Sequence, residues 1–95
     1  MNEMYNNQIE VTANRSDDEA WRLTRLERVI GYIAALADHY GNEKLLSKIK
    51  RLHDHKGTLT VTWNIDPSSE EKDFCLKAWK SIIGDGADNV EHETN

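Results

Sequence analysis

Ninety-five residues, 38% hydrophobic and 31% charged, suit one small polar domain with a thin core. The single cysteine, Cys75, excludes an intrachain disulfide and favours a reducing, cytoplasmic address. The most apolar stretch, Val29 to Ala37, is nine residues long, far short of the roughly 20 that span a bilayer, and Met1 to Tyr5 lacks the basic start and apolar core of a secretion signal. The formal net charge of −5 is unevenly placed. Residues 20–83 hold eleven Lys or Arg against eight Asp or Glu, while the two ends hold one Arg and nine acids. A basic middle attracts a phosphate backbone or an acidic protein surface.

Residues 1–7 are polar and Asn-rich and read as a flexible N-terminus. Gln8 to Ala13 alternates, with Ile9, Val11 and Ala13 on one face, and predicts a short strand. A long helix follows. Ser16 is placed to cap it, and Asp17, Asp18 and Glu19 oppose its positive dipole end. Leu26, Val29, Ile30, Ile33, Leu36, Ala37 and Tyr40 form one apolar stripe, and Gly41 ends the helix. A second helix is expected from Asn42 to Gly57, with Leu45, Ile49 and Leu52 facing inward. The two-residue link Gly41-Asn42 would fold the pair into an αα-hairpin.

Thr58 to Ile65 alternates strictly, with Leu59, Val61, Trp63 and Ile65 on one face and Thr58, Thr60, Thr62 and Asn64 on the other, as in a half-buried strand. Asp66 and Pro67 open a third helix whose inner stripe is Phe74, Cys75, Ala78 and Ile82. Residues 84–95 read as a disordered acidic tail. The expected fold is α+β in two layers, order β-α-α-β-α: an αα-hairpin and a third helix packed on a small two-stranded sheet within a single domain over 8–83. Two strands make a marginal sheet with open edges, which favours a homodimer.

Two helix flanks stand out. At 100° per residue, Trp21, Arg25, Arg28, Tyr32 and His39 gather roughly 80–140° to one side of the first apolar stripe. Trp, Tyr and Arg are enriched in interface hot spots because they combine large contact area with directional polar contacts. On the second predicted helix, Lys44, Lys48, Arg51 and His55 are spaced four, three and four apart and form a basic stripe with few acidic partners. Gly31, mid-helix, invites a close helix crossing. The Thr row of the second strand most simply faces solvent.

No cofactor, metal or catalytic motif emerges. On a helix, His53 and His55 would point about 200° apart and fail to share an ion. Cys75 lies on a core-facing stripe, where a thiol acts as a small hydrophobe. Gly84-Asp85-Gly86 precedes no helix and carries a carboxylate that repels phosphate. The residues point to a non-enzymatic cytoplasmic regulator, adaptor or inhibitor that binds a protein partner through the aromatic and basic helix surface. The alternative is nucleic-acid binding through the same basic flanks. An acidic inhibitor of a basic enzyme ranks third.

Overall fold

Leu59, Val61 and Trp63 alternate with Thr58, Thr60 and Thr62, and they build strand β3 (Thr58–Trp63) with the first three wholly buried. Around it the computed structural model, which describes residues 9–13, 19–55, 57–84 and 90–94, places three helices and a four-stranded sheet. The other elements are β1 (Glu10–Ala13), α1 (Glu19–His39), α2 (Leu45–Lys48), β2 (Ile49–His55), α3 (Ser69–Ile83) and β4 (Val90–Thr94). The sheet order is β1-β2-β3-β4. β1 runs parallel to β2, β2 antiparallel to β3, and β3 parallel to β4.

Helix α1 forms on the stripe the periodicity gives: Leu26, Val29, Ile30, Ile33 and Ala37 are buried, and Leu36 is half-buried. Tyr40 departs from the stripe. It is 56% exposed and stacks on Phe74 with ring centroids 5.4 Å apart. Gly41, at φ +75°, turns the chain out of the helix. The Asn42 N–H then bonds the Ala37 carbonyl at 2.7 Å, and the Gly41 N–H that of Asp38 at 3.2 Å, the paired bonds of a Schellman end. The expected Ser16 cap, like residues 1–7, lies outside the described residues. Among the described residues nothing lies within 4 Å of a Cβ built on Gly31, so none of the described helices crosses closely there.

The second long helix is not formed. Only one turn, α2, is helical; from Ile49 the chain is strand, so the αα-hairpin gives way to a crossover between parallel strands β1 and β2. The helical spacing of Ile49 and Leu52 has another origin. A register shift between Ile49 and Arg51 lets two residues three apart both face inward from a strand. Beyond it, Leu52 and Asp54 point in and His53 and His55 point out. Gly57, at φ +94°, closes the tight β2–β3 turn instead of ending a helix.

Helix α3 starts two residues later than Asp66-Pro67 suggests. Ser68 is its cap. The Ser68 hydroxyl accepts the Glu71 N–H at 3.1 Å and the Glu71 carboxylate accepts the Ser68 N–H at 2.8 Å, a full capping box. Phe74, Cys75, Ala78 and Trp79 are its buried face. Val90–Thr94, within the stretch read as a disordered tail, form β4 beside β3. The sheet thus has four strands rather than two. Both long helices pack on one face of it around a single core, and among the described residues no helix covers the other, open face.

Candidate protein-interaction surface

On the outer side of α1, Trp21 is 51% exposed and Tyr32 40% exposed. The Arg28 guanidinium carbon lies 6.0 Å from the Trp21 ring centroid, the outer limit of a cation–π contact. His39, at the helix end, meets the edge of Tyr40 at 4.8 Å. These four residues, two turns and one turn apart, line one exposed stripe about 27 Å long at 1.5 Å per residue. Exposed rings beside a guanidinium combine apolar area with directional donors, which suits docking of a protein surface.

Arg25, expected in the same band, turns the other way. Its Nε donates to Asp54 Oδ2 at 2.6 Å, and its guanidinium carbon lies 5.2 Å from the Trp79 ring centroid. Arg22 Nη1 donates to Asp54 Oδ1 at 3.2 Å, and the Gly57 N–H donates to the same oxygen at 3.0 Å. The Gly57 carbonyl in turn accepts the Trp79 indole N–H at 3.0 Å. Asp54 is wholly buried, and a buried carboxylate persists only with such partners. Arg25 therefore belongs to the fold. The sequence reading missed Asp54 and Arg22. The available signal was an acid two residues beyond an inward leucine, together with two arginines one turn apart on a helix flank.

The expected basic stripe of Lys44, Lys48, Arg51 and His55 does not exist as one surface, because its last two members sit on a strand. Lys44 is exposed at the start of α2. Lys48 Nζ pairs with Glu71 at 2.9 Å, beside the Asn42 side-chain amide, which donates to the same carboxylate oxygen at 2.9 Å. Burial of Glu71 alone would raise its pKa. The hydrogen bonds from Asn42, the Ser68 backbone and Lys48, with the Lys48 charge, outweigh burial and hold it below the usual 4.5.

Arg51 and His55 lie instead on the open face of the sheet. Strand register aligns two rows there: Glu10, Arg51, Thr62 and Glu93, then Thr12, His53, Thr60 and Glu91. Arg51 Nε bonds Glu10 Oε1 at 2.8 Å, and Thr12 Oγ1 bonds His53 Nδ1 at 2.7 Å. Between the rows is a hollow of about 360 Å³ lined by Glu10, Arg51, His53, Thr60 and Glu93 among others. The His53 and His55 rings share this face, 6.5 Å apart and nearly parallel, rather than pointing apart as a helix would place them. Among the described residues no three His, Cys, Asp or Glu gather to hold a metal.

On the core side, the Trp63 indole N–H donates to His92 Nδ1 at 3.0 Å. Burial, and then the Lys72 charge, lower the His92 pKa below 6.5. Burial pushes the Cys75 thiol up to about 12, with the Glu71 charge adding to it, so the sulfur is protonated at neutral pH. No described helix is long and apolar enough to cross a membrane. Comparison of the chain with protein-family models, with curated proteins and with solved structures finds no match.

Proposed function

We propose that the chain is a non-enzymatic protein-binding module, a small regulator, adaptor or inhibitor, that engages its partner through the outer stripe of α1. The carrying observation is that Trp21 and Tyr32 remain half uncovered beside Arg28, although the thin core would gain from burying them. Each ring offers an anchor with few rotatable bonds, and Arg28 supplies the directional contact. The buried, unpaired Cys75 suits a cytoplasmic setting. Nucleic-acid binding has less support, since Arg25, Lys48 and Arg51 are each engaged by a carboxylate.

The test places a photo-crosslinking residue at the exposed Ala35, about one turn beyond Tyr32 on the same side of α1, and, as a control, at the exposed Lys80 of α3. One defined protein should be captured from position 35 at 1:1 stoichiometry and lost with Trp21→Ala/Tyr32→Ala. Equal capture from both positions, or full retention by the double variant, refutes the assignment.

A homodimer through the same stripe is a second reading, favoured by its symmetry. Residues 21 and 39, and 28 and 32, are equidistant from residue 30. An antiparallel copy of α1 would set Arg28 against Tyr32 and Trp21 against His39, each contact made twice. Sedimentation across a hundredfold concentration range separates the readings: a dimer that dissociates on Arg28→Glu supports self-association, and a monomer throughout rejects it.

A further inference from the structure

β4 closes one side of the sheet. It pairs with β3 along one edge, and among the described residues no strand lies beyond it. Three contacts hold it in place. Val90 packs against the core, His92 accepts the Trp63 indole N–H, and the Thr94 hydroxyl donates to Asp66 Oδ1 at 2.9 Å. An edge held extended in this way offers backbone N–H and C=O groups to another strand at little further ordering cost.

The side chains of β4 select what pairs there. Glu91 and Glu93 are exposed on the open face, while Val90 and His92 lie half-buried on the core side. A second copy is a poor occupant. Antiparallel pairing centred on His92 sets Glu91 against the copy's Glu93 twice, and parallel pairing in register sets each Glu against itself. Like charges directly opposite destabilise a strand pair. Among the described residues Arg51 on the same face is matched by Glu10, but no cation pairs with Glu91 or Glu93. The whole chain is acidic, at −5, which attracts a cationic partner.

We propose that the edge of β4 facing away from β3, which no described strand covers, takes an extended basic segment of another protein by strand addition. Lys or Arg at alternate positions faces Glu91 and Glu93, and an apolar residue between them lies beside His92. This surface is separate from the α1 stripe, so each assignment stands or falls alone.

The probe is the capped peptide Lys-Val-Lys-Val-Lys, titrated into the full chain at 50 and 200 mM salt and followed by amide NMR. Controls are Glu-Val-Glu-Val-Glu and a Lys-Val-Lys-Val-Lys analogue with alternate backbone amides N-methylated. The expected result is saturable binding of the lysine peptide with shifts centred on residues 90–94, absent with either control. Affinity should fall about tenfold with Glu91→Lys/Glu93→Lys and by less with Glu91→Gln/Glu93→Gln. An unchanged Trp63 signal would show that β4 is still seated in these variants. Three results overturn the proposal: no binding, which leaves the carboxylates as guards against aggregation; equal binding of the N-methylated analogue, which is charge attraction without pairing; or shifts confined to other elements.

Discussion

Asp54→Ala is the sharpest test of how the fold is held. The substitution removes an acceptor from Arg25 at 2.6 Å, Arg22 at 3.2 Å and the Gly57 N–H at 3.0 Å. Breaking a buried ion pair by deleting one partner costs about 3–5 kcal/mol. The arginine side chains keep 13% and 17% exposure, so both retain some access to water, which places the cost near the lower end, about 3 kcal/mol. For a domain of this size that corresponds to a fall in Tm of about 12–24 °C. Asp54→Asn keeps one oxygen for Gly57 and should cost about 2 kcal/mol. Glu10→Ala breaks the exposed pair with Arg51 and should cost below about 0.5 kcal/mol. Urea unfolding followed by tryptophan fluorescence, with thermal circular dichroism, measures all three. If Asp54→Ala proves as mild as Glu10→Ala, the buried cluster does not anchor α1 to the hairpin and the reasoning fails.

Other consequences follow from the titratable groups. His92 has its pKa lowered by burial and by Lys72, so it adds stability above pH 6.5 that is lost as pH falls towards its folded value. His92→Asn, which keeps an acceptor for Trp63, should lessen the fall in urea stability between pH 7.5 and 5.5; an identical fall refutes the assignment. Glu71 is lowered too, so its contribution is complete above about pH 4.5 and disappears as pH drops through the folded value. Glu71→Gln should flatten the acid limb of an unfolding titration and destabilise the protein by about 2 kcal/mol at pH 7. Cys75, with its pKa near 12 and its side chain buried, should resist an aromatic disulfide reagent at pH 8 until urea unfolds the chain. Immediate reaction in buffer would contradict the burial.

The elements with local, self-consistent patterns were legible in the sequence. The period of Leu26, Val29, Ile30 and Ile33 specifies α1, the alternation from Thr58 to Trp63 specifies β3, and Phe74, Cys75 and Ala78 mark the inner face of α3. Where the pattern depended on distant partners it misled. Leu45, Ile49 and Leu52 mimic a helix because the register shift in β2 adds a residue between two inward positions. Nothing local in the sequence marks Asp54 as buried, because the arginines that hold it, Arg22 and Arg25, arrive from α1. Val-Glu-His-Glu-Thr has weak intrinsic strand preference, and its extended form rests on β3 and the Trp63 indole. Within the candidate stripe, helical angle alone gathers Trp21, Arg28, Tyr32 and His39 on one side of α1, and all four are exposed there. Arg25, only some 20–60° from them, was claimed by a carboxylate 29 residues away.

The order of the strands also sets an order of assembly. Glu10 and Arg51 meet across 41 residues, and Trp63 and His92 across 29, whereas β2 and β3 are neighbours joined at Gly57. Closing a long loop carries more entropy than closing a tight turn, so the central hairpin is the natural nucleus, and the flanking strands wait for their crossover helices to dock. By the same logic the periphery detaches before the centre: losing the last strand opens the β3 edge and bares the Trp63 indole while the hairpin survives.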